Sequence, residues 1–318
     1  MSDIDTAVRL LRTGRLVALP TETVYGLGAD ASSPEAVARI FAAKGRPADH
    51  PLIVHIPAAD HLDRWAREIP QAARLLAQRF WPGPLTLILK RQPQVPDAIT
   101  GGQDTVGLRV PAHPLALQLL RAFDSGIAAP SANRFGRISP TTADHVREEL
   151  GDRVDLVLDG GPCTVGIEST ILDLSGPVYA VLRPGAITAQ QIADTLGQAV
   201  SGATPAAPRV SGSLEAHYAP TTPMELVPAG QLPARIDTLV SAGLRVAVLS
   251  QAAFAGNDKT LRQQAPEDAA GYARTLYGTL RKLDHQGVAR ILVEAPPDTP
   301  EWLAIRDRLR RAARGSGE

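Results

Sequence analysis

The feature that most constrains the fold is a stretch of small and turn-forming residues, 201–223, which divides the chain in two. Gly, Ala, Pro, Ser and Thr dominate this stretch, whereas strand-like and helix-like patterns alternate on both sides of it. Such a composition favours a linker over a packed element. At 318 residues the chain also exceeds the usual size of one hydrophobic core. We therefore predict a first domain over 1–200, a linker over 201–223 and a second domain over 224–318.

Closely spaced apolar runs in the first part indicate a mixed sheet. Residues 154–158, 169–174 and 178–182 have strand-like sequences, and a turn at 175–177 joins the last two. Parallel neighbours need a crossover of about a dozen residues, so two of these strands are expected to pair antiparallel. Helical patterns alternate with the other runs. The first domain is therefore predicted to be α/β, with a twisted mixed sheet and flanking helices.

Turn-forming residues follow the first predicted strand, 15–19. The segment 21–30 is expected to be irregular, because it contains glycines and hydroxyl side chains. A helix then begins, since Ser32 and Glu35 have the spacing of a capping box and Pro34 suits a first helical turn.

The part after the linker alternates strand and helix. The strand-like runs are 224–227, 245–249 and 291–294, and the helical patterns are 234–241, 269–285 and 301–313. This alternation predicts a smaller, parallel, Rossmann-like α/β domain. It contains neither a G-x-G-x-x-G dinucleotide fingerprint nor a G-x-x-x-x-G-K-S/T phosphate loop.

Composition and charge disfavour several classes of protein. One cysteine, Cys163, allows neither an internal disulfide nor a cysteine metal cage. The formal net charge is zero, so tight nucleic-acid binding is not expected. The N-terminal residues lack the pattern of a signal peptide, and no apolar run approaches the roughly 18 residues of a membrane span. We predict a soluble, cytoplasmic protein without membrane association and without a metal site of its own.

Polar motifs follow several predicted strands, where ligands of α/β sheets commonly bind. Lys44 and Arg46 suit phosphate oxygens, although basic residues at a helix end also complement the helix dipole. Ser131 follows a short strand, and the absence of a G-x-S-x-G elbow favours hydrogen bonding over a nucleophilic role. Each motif alone leaves a structural and a functional interpretation open.

Five motifs, in this order, resemble the YrdC domain of the threonylcarbamoyl-AMP synthase family. They are P-T-E-T-V-Y-G-L-G at 20–28, K-G-R-P at 44–47 with P-L at 51–52, P-S-A-N at 130–133, E-S-T at 168–170 and L-R-P-G at 182–185. H-Y-A-P at 217–220 in the linker and L-R at 280–281 in the second domain resemble the family's long two-domain form. Residues 210–216 depart from the linker sequence of many members.

The resemblance implies a nucleotidyltransferase that forms threonylcarbamoyl-AMP and pyrophosphate from L-threonine, bicarbonate and ATP. The product would serve the threonylcarbamoyladenosine modification of tRNA, so the downstream tRNA threonylcarbamoyl-transfer machinery is an implied partner. Mg²⁺ would be bound mainly by the ATP phosphates. Lys44 and Arg46 would be the catalytic residues. Because both lie at a predicted helix end, their charges are expected to have little packing role.

The resemblance also implies two sets of binding residues. The nucleotide would contact Arg46, His50, Thr105, Ser131, Asn133, Ser139, Arg183 and Tyr218. Threonine and its carbamate would contact Thr23, His55, Arg109, Ala129 and Ser169. His217 and Tyr218 further suggest that the linker closes over the nucleotide as a lid, the alternative being that both rings pack on the second domain.

Two rival functions are disfavoured. An RNA-binding module without catalysis would need a basic field or an aromatic RNA-binding motif. A carbamoyl transferase of hydrogenase maturation would need zinc-finger cysteines, which a chain with one cysteine cannot supply.

Overall fold

The computed structural model describes residues 2–212, 214–252 and 257–317, which form two compact units. The first unit consists of residues 2–135 and 139–212, and the second of 136–138 together with the described residues from 214 onward. The linker predicted at 201–223 is therefore divided between the two units.

The first unit is built on one long sheet. Its strands are β1 (Val17–Leu19), β2 (Gly26–Asp30), β3 (Ile53–His55), β4 (Leu85–Lys90), β5 (Thr105–Arg109), β6 (Ile127–Ala128), β7 (Leu156–Val157), β8 (Thr170–Asp173), β9 (Ala180–Arg183) and β10 (Ser201–Gly202). Its helices are α1 (Asp3–Arg12), α2 (Pro34–Lys44), α3 (Leu62–Trp65), α4 (Gln71–Phe80), α5 (Asp97–Thr100), α6 (Pro114–Phe123), α7 (Ala143–Leu150) and α8 (Ala189–Leu196). The strand order is β10-β9-β8-β4-β5-β3-β6-β2-β1-β7. The β8–β9 pair is antiparallel and the β4–β8 pair is parallel, which confirms the predicted mixed sheet.

Strand β2 corrects the expectation that 21–30 is irregular. Residues 26–30 pair antiparallel with β1, and Gly28 lies opposite Val17. A Cβ on Gly28 would lie 2.9 Å from the Val17 carbonyl oxygen. The glycine is needed for this close approach of two backbones, and not for a turn.

The start of α2 also differs by one residue from the prediction. Ser33 is the N-cap, because its hydroxyl accepts from the Ala36 amide at 3.2 Å. The Ser32 hydroxyl instead donates to Asp30 Oδ1 at 2.6 Å. Ser32 therefore closes the turn before the helix, and the proposed capping box with Glu35 is wrong.

Two apolar clusters cover opposite faces of the sheet, since alternate residues of a strand point to opposite sides. On one face, α2 and α4 pack against residues that include Val54, Leu87 and Leu108. On the other, α1 and α6 pack against residues that include Val17 and Ile127. Helices α1 and α6 belong to the β1–β6 end of the second face.

The second unit contains a parallel sheet, as predicted. Its strands are β11 (Met224–Val227), β12 (Val246–Ser250), β13 (Thr260–Gln264) and β14 (Arg290–Glu294), and its helices are α9 (Leu232–Ser241), α10 (Ala269–Asp284) and α11 (Leu303–Gly315). The order is β11-β14-β12-β13, with every pair parallel. Helix α9 packs Leu232 and Leu239 against Val246 and Val248.

Strand β13 has no counterpart among the predicted elements. Its sequence, Thr-Leu-Arg-Gln-Gln, lacks an apolar face, and only Thr260 is buried. It lies at an edge of the four-stranded sheet, where a strand needs little apolar surface.

Within the described parts of the chain, no helix combines the length and the apolar character needed to cross a membrane.

Candidate active site

Polar residues occupy the second face of the sheet beside α1 and α6. His55 of β3 pairs in register with Ile127 of β6 and Arg109 of β5, so these side chains share a face. Two residues earlier on β5, Gly107 pairs with Ile53 and with Ile88 of β4. Gly107, Ile53 and Ile88 line a narrow cleft, which we call the depression, and the polar residues His55 and Arg109 end strands β3 and β5 beside it.

Arg109 and Glu22 form an ion pair at this polar end, with Nη2 2.7 Å from Oε1 and both side chains buried. Arg109 Nε also donates to the Gly83 carbonyl at 3.2 Å, and the Ala112 amide donates to Glu22 Oε2 at 2.9 Å. Both groups are therefore held in fixed orientations. Glu22 belongs to the first motif, but its ion pair with Arg109 could not be predicted, because the two residues are far apart in sequence.

His55 is 3% exposed beside Arg109. Burial, together with the charge of Arg109, lowers the pKa of His55 from its ordinary value of 6.5 to about 3. The imidazole is therefore uncharged at neutral pH, where it can bind a ligand through hydrogen bonds.

Ser169 and Arg183 are joined at the start of β8 and the end of β9. Arg183 donates through Nε and Nη2 to the Ser169 carbonyl at 3.0 and 2.9 Å, and Nη2 lies 3.1 Å from the Ser169 hydroxyl. The Ser169 hydroxyl is also 2.8 Å from the Thr86 hydroxyl of β4. A role for Thr86 in the site was not predicted, because a threonine inside an apolar strand is normally interpreted as a packing residue.

Residues 209–211, which we call the strap, lie over the depression. Val210 is buried against Ile88 and Ile171. The Ser211 carbonyl accepts from Arg183 Nη1 at 2.8 Å, and the Ser211 hydroxyl is 3.5 Å from Arg46 Nη1. The sequence showed no motif here, since side chains of this size are common in any linker.

The outer side of the strap is held by Arg209 and Gln103. Arg209 Nη2 donates to the Gly101 carbonyl at 3.0 Å, and its amide donates to Gln103 Oε1 at 2.7 Å. Thr105, at the start of β5, lines the narrow cleft under the strap. Thr105 of β5 therefore lines the same cleft as the strap residues.

Lys44 is 3% exposed at the end of α2. Its Nζ donates to the carbonyls of Ser131 and Asn133, each at 2.5 Å. Burial and the nearby charge of Arg46 lower the pKa of Lys44 well below its ordinary value. The expectation that Lys44 has little packing role is wrong, because its amino group fixes the loop that carries Ser131.

Arg46 and His50 lie in the loop between α2 and β3. Arg46 is 8% exposed, and its Nη2 donates to the Pro51 carbonyl at 2.9 Å. The His50 ring contacts Phe135 edge to face at 5.5 Å. Burial and the charge of Arg46 lower the pKa of His50, so this ring is uncharged at neutral pH.

Ser139 and Asn133 are both almost fully buried. The Ser139 hydroxyl donates to Glu168 Oε1 at 2.6 Å, and Asn133 Nδ2 donates to the Arg134 carbonyl at 2.8 Å. Glu168 precedes Ser169 in the fourth motif but was not assigned a role.

The two remaining threonine-site candidates are Thr23, in the loop between β1 and β2, and the backbone of Ala129, directly after β6. Thr23 is fully buried, with its hydroxyl 2.8 Å from that of Thr21. The Ala129 amide donates to the Ile53 carbonyl at 3.1 Å, which places this backbone beside β3.

Tyr218 belongs to the second unit, where it is 1% exposed. Its ring stacks on Tyr277 with centroids 5.7 Å apart, and the guanidinium carbon of Arg308 lies 5.4 Å from it. His217 contacts the same ring edge to face. These contacts support the packing alternative for both rings, while ATP binding by Tyr218 stays a prediction.

The carboxylates of the site bear on metal binding. Glu22 is paired with Arg109, and Glu168 accepts from Ser139. Among the described residues no three His, Cys, Asp or Glu side chains form a group that could hold a metal ion. A magnesium ion at this site would fit best as part of an ATP complex, with phosphate oxygens as ligands.

Comparisons with known proteins agree over both units. The family model "Telomere recombination" matches residues 9–185, and the model "Threonylcarbamoyl-AMP synthase, C-terminal domain" matches residues 187–314. The chain is 41% identical to the threonylcarbamoyl-AMP synthase of Pyrococcus abyssi (strain GE5 / Orsay), covering 98% of this chain and 94% of that protein. It is 42% identical to the threonylcarbamoyl-AMP synthase of Bacillus subtilis (strain 168), covering 98% and 93%.

A solved structure supports the same relationship. The crystal structure of P. abyssi Sua5 complexed with L-threonine matches with a TM-score of 0.91 and 39% identity, covering 98% of this chain and 94% of that chain. The resemblance identified from the motifs is confirmed over nearly the whole length. The chain belongs to the threonylcarbamoyl-AMP synthase family.

Proposed function

We propose that this chain is an L-threonylcarbamoyladenylate synthase that uses L-threonine, bicarbonate and ATP for the threonylcarbamoyladenosine modification of tRNA. The observation that carries the proposal is the buried polar end of the depression, where Arg109, uncharged His55 and Ser169 lie on one sheet face. A cation beside neutral hydrogen-bonding groups suits an amino acid carboxylate and its neighbouring polar atoms.

Threonine would bind at this polar end. Arg109 Nε and Nη2 are already engaged by Gly83 and Glu22, so Nη1 is the group assigned to the substrate carboxylate. His55, Thr23 and the Ala129 backbone would bind the threonine side chain and the carbamate, together with Ser169.

ATP would bind under the strap and towards α2. Arg46 and Arg183 carry the charges that we assign to the phosphates, with His50, Thr105 and Ser139 completing the nucleotide wall. Lys44 Nζ binds the carbonyls of Ser131 and Asn133, and a bound phosphate would favour its ammonium form, which has a third N–H. That N–H is assigned to a phosphate oxygen, and the other two position the loop.

The reaction joins the carbamate to AMP. The threonine amine adds to bicarbonate with loss of water, and a carbamate oxygen then attacks the α-phosphorus. The α-phosphorus bond to the bridging oxygen breaks, and pyrophosphate leaves with that electron pair. When bound with ATP, Mg²⁺ would supply charge neutralisation at the phosphates, and the protein would position the reactants and stabilise the developing charge.

The test measures pyrophosphate release with threonine and bicarbonate each omitted in turn, and detects the adenylate by mass spectrometry. Release should need both substrates and ATP, and the product should carry one threonylcarbamoyl group per AMP. Release without threonine, or a product lacking the carbamoyl carbon, would exclude this function. A coupled assay with the tRNA threonylcarbamoyl-transfer machinery would then test the proposed downstream partner.

A further inference from the structure

The side chain of Thr86 lies on the sheet face that carries the proposed threonine site. Thr86 is two residues before Ile88 in β4, and Ile88 pairs with Gly107 of β5. Because every second residue of a strand points to the same side, Thr86 shares a face with Gly107 and with Arg109, two residues further along β5. Thr86 is fully buried, and its strand has a neighbour on both sides, β5 and β8.

The orientation of the Thr86 side chain is fixed by these neighbours. Its methyl carbon lies 3.5 Å from the position that a Cβ on Gly107 would take, so the methyl group points to β5. Its hydroxyl points to the start of β8, where Ser169 Oγ lies 2.8 Å away. The Thr170 amide donates to the Pro84 carbonyl at 3.0 Å, which holds the backbone next to Ser169 beside β4.

The hydrogen bond between the two hydroxyls leaves one proton over. Ser169 Oγ also accepts from Arg183 Nη2 at 3.1 Å, because a guanidinium donates and never accepts. Within the described parts of the chain, the Ser169 hydroxyl has these two partners and the Thr86 hydroxyl has only Ser169. Two O–H groups therefore share one hydrogen bond, and the second proton has no acceptor among these residues.

The two possible directions of the bond differ in which proton is left over. If Ser169 donates to Thr86, the Thr86 proton stays unsatisfied inside the sheet, and an unsatisfied buried donor costs free energy. If Thr86 donates to Ser169, the remaining proton belongs to the residue assigned above to threonine and its carbamate. Ionised carboxylate oxygens only accept hydrogen bonds, and the same holds for carbamate oxygens. Only the second direction satisfies both hydroxyls when the substrate is bound.

We propose that Thr86 is a positioning residue, which donates to Ser169 Oγ and thereby directs the Ser169 O–H to an anionic oxygen of the substrate. This inference rests on the proposed function, since it deepens the role of Ser169 in threonine binding. Accepting from Thr86 and from Arg183 also polarises the Ser169 hydroxyl, which strengthens it as a donor.

The test is isothermal titration calorimetry of the full chain with L-threonine, with and without bicarbonate. Thr86→Val keeps the shape of the side chain and removes its hydroxyl, so the affinity for threonine should fall about fivefold to tenfold while the KM for ATP is unchanged. A loss with threonine alone assigns the bond to the carboxylate, and a loss only with bicarbonate assigns it to the carbamate. Thr260→Val makes the same change at a buried strand residue of the second unit and should bind like wild type.

Two further variants separate positioning from packing. Thr86→Ser keeps the hydroxyl and loses a buried methyl group, so its melting temperature should fall while its affinity for threonine stays at the wild-type value. In Thr86→Val/Ser169→Ala the affinity should be no lower than in Ser169→Ala alone, because Thr86 acts through Ser169.

The positioning role is overturned by unchanged threonine affinity in Thr86→Val, by an equal loss of affinity in Thr86→Ser, or by an additive loss in the double variant. In each of these cases wild type still binds threonine, so the proposed function is unaffected. Wild-type protein that binds no threonine would contradict the proposed function, and this inference with it.

Discussion

Arg109 Nη2 lies 2.7 Å from Glu22 Oε1, and their side chains are 5% and 8% exposed. Removing one partner of such a buried pair leaves an unpaired charge in the interior, whereas replacing both with apolar residues is often neutral. The stability and the substrate-binding roles of this pair can therefore be separated by mutation.

Glu22→Leu should lower the free energy of unfolding by about 3–5 kcal/mol, because Arg109 loses its buried counter-ion. The double variant Glu22→Leu/Arg109→Met should recover most of this stability but release no pyrophosphate. Urea unfolding and the pyrophosphate assay check the two effects. If Glu22→Leu unfolds like wild type, the pair contributes nothing to stability.

His55 should make the protein sensitive to mild acid. The pKa of His55 is about 3 in the folded protein, and we take the ordinary value of 6.5 for the unfolded chain. Between these two pH values the unfolded chain binds a proton that the folded chain does not. Stability is then lost as pH falls towards 3, at about 1.4 kcal/mol per pH unit well inside this window. Between pH 7 and pH 5, wild type should lose about 2 kcal/mol more than His55→Gln in urea unfolding. Equal losses would show that His55 does not carry this acid sensitivity.

Lys44→Met should reduce both stability and turnover. It retains the length of the side chain but removes the donor shared by Ser131 and Asn133, at a cost of about 1–3 kcal/mol. The matched control is Lys90→Met, which breaks a more exposed ion pair with Glu68 and should cost about 1 kcal/mol or less. If Lys44→Met and Lys90→Met lose the same free energy of unfolding, Lys44 does not fix the loop.

Arg183→Lys should release the strap, because a lysine cannot span the Ser169 and Ser211 carbonyls as the guanidinium does. Trypsin should cleave after Arg209 faster than in wild type, and the KM for ATP should rise about tenfold, the equivalent of one good hydrogen bond. Arg147→Lys, at a half-exposed surface position, is the control. In wild type, ATP and threonine together should slow this cleavage, and indifference to ligands would argue against a closing strap.

Tyr218→Ala should destabilise the second unit. The ring is buried against Tyr277 and Arg308, so its loss should cost about 3–5 kcal/mol. Tyr218→Phe keeps these contacts and should melt within a few degrees of wild type. A larger KM for ATP in Tyr218→Phe would support the predicted nucleotide contact, and an unchanged KM would count against it.

Elements with apolar patterns could be predicted closely from the sequence. The strand over 224–227 has the predicted bounds, and the helix predicted at 269–285 is α10, which ends one residue earlier. Strand β2 was missed because its glycines serve a close backbone approach, which depends on the partner strand and leaves no local mark. A sequence pattern therefore predicts which residues of a segment are buried more reliably than which segment it packs against.

The site shows the same division. The resemblance assigned Arg109, His55 and Ser169 to the site, and these residues share one sheet face, but it did not identify the partners that hold them. Glu22, Thr86 and Ser211 act through contacts with residues far away in sequence. Lys44 was assigned to phosphate from its charge and its motif, and only its burial and hydrogen bonds revealed that it also holds a loop.

The polar sequence of β13 has a consequence for solubility. A strand at the edge of a sheet presents unpaired backbone groups that can recruit a strand from another molecule. Arg262, Gln263 and Gln264 make this edge charged and polar, so a second copy joining here would have to desolvate an arginine without gaining apolar burial. The residues that concealed β13 from prediction are those that discourage the four-stranded sheet from growing into an aggregate.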